Sequence, residues 1–197
     1  MSDLWRRERA FSGWHRDDCN RLAGELAEII AETAFIGVVV GIEHATLSSY
    51  LAKFPGAVDY LGGVYSICVE GAMNLTSKAL DQIDDESGVH YFFEDGAEGK
   101  AEAMLLLDKI ASNEVLSRRF RRRGDTFLPK GDNAATGAAD FLAWEWQNLY
   151  KAPGPDVFPT LMRLIESRVR HFRLGYTEPN IVIQEGLNRF YGVRLRL

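Results

Sequence analysis

The sequence lacks any long apolar run. Its longest, Phe35 to Ile42, is only of strand length, far short of the roughly 18 consecutive apolar residues of a membrane-spanning helix. The N-terminal residues, with Trp5, Arg6, Arg7 and Arg9, carry no apolar segment of a secretory signal. There are two cysteines, Cys19 and Cys68, which do not make a disulfide framework and point to a reducing, cytoplasmic setting. The histidines, His15, His44, His90 and His171, show no metal-ligand spacing, and neither cysteine has a neighbour that would mark a nucleophile.

What is present is a globular composition. With 197 residues, 46% hydrophobic and 26% charged, the chain can bury a sizeable core, which excludes wholesale disorder. The net charge is −5, yet Arg118 to Lys130 holds six basic residues and one acid, a local +5 that leaves −10 elsewhere. A patch this concentrated can meet phosphate even on an acidic chain.

Hydrophobic periodicity supplies the element order. Leu22, Leu26, Ile29 and Ile30 oppose Arg21, Glu25, Glu28 and Glu32, which predicts a surface helix over about 17–33. Phe35 to Ile42 reads as a strand covered on both faces, the mark of an α/β layer architecture. A short helix at 44–53 and a longer one at about 58–80 follow, then a turn at Asp84 to Gly88, a strand at Val89 to Phe93 and a helix from Ala97 to Ile110. Beyond the basic cluster come a short strand at 125–128 and a helix from Ala134 to about Tyr150, capped by Asp132 or Asn133. The spacing predicts a last helix over 157–172.

Two places invite chemistry. Glu94 and Asp95 leave the expected strand just before a helix, the crevice position where open α/β sheets bind ligands. The plainer role for both is to stabilise that helix through its dipole. Asp140 interrupts an apolar stretch about two turns into its helix; on a buried face it would need a compensating cation, and otherwise it joins Thr136, Gln147 and Glu145 on a narrow polar face. Glu70 falls near Ser66, Asn74 and Ser77 on a polar, solvent-facing side. His90 reads as a packed strand residue, and Trp144, Trp146 and Tyr150 as core and rim packing.

The blocks Tyr91 to Lys100 and Ala138 to Glu145, together with Phe11 to Trp14, resemble the bacterial and archaeal domain of unknown function 3800 family, in the same order over about residues 10–150. The resemblance implies a ribonuclease-H-like α/β fold, a mixed sheet flanked by helices, over residues 8–152; residues 153–197 are expected to form a helical extension packed on it. It also implies an acidic site in which Glu94, Asp95 and Asp140 bind Mg²⁺ or Mn²⁺ for phosphodiester hydrolysis. In the family pattern an aspartate-glutamate motif lies on a first strand, and a glutamine stands three residues before the helical aspartate. Here the latter position is Gly137, and no apolar strand bearing the motif precedes Phe11. The chain is therefore expected to begin after the family's first strand and to lack its first carboxylate.

The expected function is thus that of a metal-dependent nuclease-like domain, inactive if that carboxylate is truly missing. Arg118, Arg119, Arg121, Arg122, Arg123 and Lys130 would wall its nucleic-acid groove. The alternative is a non-catalytic module that binds nucleic acid or a protein partner through the same arginines.

Overall fold

A computed structural model describes residues 11–129, 133–151 and 170–176. Its architecture is mixed α/β. The described elements are α1 (Arg16–Thr33), β1 (Ile36–Ile42), α2 (His44–Lys53), a 3-10 turn (Pro55–Ala57), α3 (Val58–Leu61), α4 (Val64–Asp81), β2 (Val89–Glu94), α5 (Lys100–Ser112), α6 (Glu114–Arg119), β3 (Arg122–Leu128), α7 (Ala134–Lys151) and β4 (Arg170–Tyr176). No helix among the described residues is long and apolar enough to cross a membrane.

The chain divides into two compact units, each completed by a distant stretch of sequence. The first contains described residues 11–39, 133–151 and 170–172, and the second 40–129 and 173–176. In the first unit the small side chains Ala23 and Ala27 of α1 pack against Phe141 and Leu142 of α7, with Ile30, Val39 and Trp146 at the margins. Helix α1 has no side-chain cap, but Asp17 and Asp18 lie in its first turn, where negative charge suits the dipole.

The second unit has two cores. Leu47, Tyr50, Leu61 and Ile67 close one, and Met73, Leu106, Leu107, Ile110 and Phe120 close the other, against which Tyr91, Phe93 and Phe127 pack. The helix expected at 58–80 is in fact two. Gly62 has φ 66° and ψ −153°, a backbone that only glycine adopts without strain, and it separates α3 from α4. Helix α4 ends where Asp84 turns left-handed at φ 54° and Asp85 N–H donates to the Leu80 carbonyl at 3.0 Å.

Strands β2 and β3 pair in parallel, with Phe93 opposite Phe127 and Glu94 opposite Leu128. Strand β3 begins three residues earlier than its hydrophobicity suggests, so Arg122 and Arg123 are strand residues. Residues 170–172, expected to end a helix, belong to β4, which pairs with β1. The rest of that expected helix, 157–169, lies outside the described residues, as does Lys130. Among the described residues the strands form two two-stranded sheets rather than one continuous mixed sheet.

Candidate functional site

Because β2 and β3 run parallel, their C-terminal ends emerge together. Asp95 N–H extends the ladder by donating to the Leu128 carbonyl at 2.7 Å. The chain then turns through Gly96 (φ 88°) and Gly99 (φ 87°) into α5, so this helix starts at Lys100 rather than directly after Gly96. That delay lets Lys100 reach back: its Nζ donates to Asp95 Oδ1 at 2.5 Å and sits 5.1 Å above the Phe127 ring. The Lys100 hydrogen bond, joined by the ammonium charge and the Gly96 N–H, holds the Asp95 carboxyl below the usual aspartate range. Glu94 bears on Tyr65 of α4, whose phenol is pushed up by burial first and by the Glu94 charge second.

A third carboxylate, which the sequence pattern hides in the first turn of α5, completes this end. The Glu102 carboxylate lies against Gly63, the N-cap of α4, where a side chain on residue 63 would collide with it. It therefore supplies negative charge to the start of a helix that has no side-chain cap of its own. A Cβ at Gly99 would come within 2.8 Å of Tyr65 Cβ, so glycine is what allows the start of α5 to approach α4. Glu98 lies in the turn before α5, so Glu98 and Lys100 do not share a strand face.

Of the ligands expected for a divalent metal, Glu94 ends β2, Asp95 follows it, and Asp140 lies on α7. Among the described residues no three His, Cys, Asp or Glu side chains are placed to hold a metal ion. Asp95 is engaged by Lys100.

On α7 the expectation about polar faces is corrected. Asp140 is exposed, as is Gln147, whereas Glu145 is only 1% exposed. Five residues apart on a helix are about 140° apart around its axis, so the two acids cannot share a face. Glu145 falls one turn beyond Phe141 and Leu142, on the stripe that meets α1. Gly137 is exposed, and a Cβ there would meet open space. Glu70 is likewise corrected: it is buried together with Ser66 and Ser77, because the polar stripe of α4 faces protein. Ser77 Oγ donates to the Arg119 carbonyl at 2.7 Å, and Arg119 donates to Asn74 Oδ1 at 3.3 Å.

The arginine cluster is not one exposed wall. Arg118 pairs with Glu114 at 2.6 Å, Arg121 with Asp81, and Arg122 with Asp125. Arg121, left-handed at φ 50°, also donates to the Asp85 carbonyl, so it clasps the end of α4 and the following turn to the start of β3. Much of the local positive charge is thus answered, by the near neighbours Glu114 and Asp125 and, from the end of α4, by Asp81. Arg123 differs: it is exposed, and among the described residues it has no hydrogen-bond or ion-pair partner.

Arg123 occupies the irregularity in the β2–β3 register, and its side chain lies over Gly88, where a Cβ would collide with it. Next along the same face is His90, whose ring lies over Gly124 and whose Nε2 is 2.9 Å from Thr126 Oγ1. Phe92 follows, 47% exposed and stacked on His90 at 4.7 Å between centroids with 28° between planes. His90 is therefore exposed rather than packed, and it belongs to an open aromatic face. The alternation of strand side chains places Tyr91 and Phe93 on the opposite, core-facing side.

No family model, no curated protein and no solved structure matches this chain.

Proposed function

We propose that this protein is a module that binds single-stranded nucleic acid on the outer face of β2 and β3. The observation that carries the reading is the exposed Phe92–His90 stack beside Arg123. Two rings lying nearly parallel on an open face offer an exposed π surface to a base, and base–aromatic stacking is worth about 1–3 kcal/mol per base. Arg123 supplies a cation within the same strip, and Gly88 and Gly124 leave room on the strand surface for the Arg123 chain and the His90 ring. Thr126 holds the imidazole in place. Fluorescence polarisation with labelled single-stranded RNA and DNA tests the reading: Phe92→Ala is expected to weaken binding by about 5- to 150-fold. Wild-type affinity in both Phe92→Ala and Arg123→Ala would end it.

The ribonuclease-H-like frame and the hydrolytic activity implied by the motif resemblance make a separate demand. They require uptake of Mg²⁺ or Mn²⁺ that Asp140→Asn weakens, and an isothermal titration without heat for either ion removes that reading while leaving the binding face intact.

A further inference from the structure

The first unit holds a group that the binding face does not use. Glu145 on α7 is 1% exposed, and neither of its carboxylate oxygens has a hydrogen-bond partner among the described residues. Its neighbours by helical spacing are Phe141 and Leu142, which pack on Ala23 and Ala27 of α1. We propose that Glu145 is a proton-operated lock on this packing: the neutral acid stays in the apolar layer, and its ionisation loosens α7 from α1.

An ionised carboxylate without partners in such a place costs several kcal/mol, so the group adopts its neutral form instead. Among the described residues the charged groups of α1, β1 and α7 do not relieve it. On α1, Arg16, Asp17, Arg21, Glu25, Glu28 and Glu32 are exposed and Asp18 is half-buried, leaving Cys19 as the titratable group on the buried stripe. β1 carries no ionisable side chain, and Asp140 on α7 is exposed. Burial alone raises the Glu145 carboxyl to about 7, from an ordinary value of 4.5.

The sign follows from proton counting. Between the two values the folded chain binds a proton that the unfolded chain has released, so stability falls as pH rises through that window and levels off above it. Denaturant unfolding of the full chain, at constant ionic strength from about pH 5 to about pH 8.5, is expected to show the folded-to-unfolded ratio dropping about ten- to a hundredfold. Glu145→Gln should lack that component and be the more stable protein at the alkaline end; parallel pH profiles for the two chains would overturn the proposal. If the glutamine variant does not fold, carbon-13 NMR of the unaltered chain decides. One glutamate carboxyl should titrate with a midpoint about 7, and a set in which every glutamate titrates in the ordinary range sinks the idea. Hydrogen exchange tells a lock from a passive buried acid. Amide protection in α1 and α7 must fall across the same midpoint after correction for intrinsic rates, and unchanged protection refutes the lock.

Discussion

The two faces of the β2–β3 pair carry similar residues with opposite fates. On the inner face Phe93 and Phe127 stack at 5.2 Å, and the Tyr91 hydroxyl donates to the Phe120 carbonyl at 2.8 Å. On the outer face His90 and Phe92 stack as closely, but against solvent. Aromatic content alone does not distinguish a core from a binding surface. What does is whether the polar edges and apolar areas are matched by protein, and on the outer face the Phe92 ring is not covered.

The comparison breaks most visibly through stability. Phe127→Ala, which removes a ring stacked on Phe93 and lying beneath Lys100, is expected to cost about 3 kcal/mol. Phe92→Ala should stay within about 1 kcal/mol of wild type while losing affinity. Equal destabilisation by both, in denaturant unfolding, would make the outer ring another core residue. Next in size is the contrast between adjacent arginines. Arg122 and Asp125 have side chains only 18% and 19% exposed, so Arg122→Ala leaves a half-buried carboxylate unpaired, at about 2 kcal/mol. Arg123→Ala should leave stability near wild type and reduce the slope of log affinity against log salt by about 1. The smallest effect concerns Asp95. Its carboxyl is depressed in the fold, so whatever stability it brings is present above the ordinary aspartate pKa and lost as pH falls through the lowered one. Lys100→Met should remove that acid-side component from the melting temperature, and a retained one would show that Lys100 is not its source.

Much of the scaffold was legible in the sequence, for a physical reason. Helix α1 and strand β2 carry periodicities that only one local conformation satisfies, α7 follows its cap, and the strand–turn–helix order from Val89 onward is as expected, with the helix beginning three residues later. The break at Gly62 was signalled only by the Gly62–Gly63 pair, which weakens a helix there, because apolar spacing continues across it and the positive φ of Gly62 is what reveals it. The extent of β3 was hidden by charge: its arginines suit a solvated helix end or loop until Asp125, on the same strand, and Asp81, from the end of α4, answer two of them. On α7 the exposed Asp140 fits the narrow polar face, but Glu145 is buried, because the alanines and tryptophans along that helix leave the edge of its polar face undefined. At the β2 end the sequence pointed to Glu94 and Asp95 but not to Glu102, whose position depends on two helices meeting.

The clasp at Arg121 also bears on how this surface should be dissected. A charge map invites replacement of the whole arginine run at once. Such a variant would release the end of α4 and the turn after it from the start of β3, so a failure to retain nucleic acid would follow from a strand that had lost its footing beneath the rings. Silence in that experiment would report a misplaced foundation, and only substitution confined to position 123 asks whether phosphate is being touched.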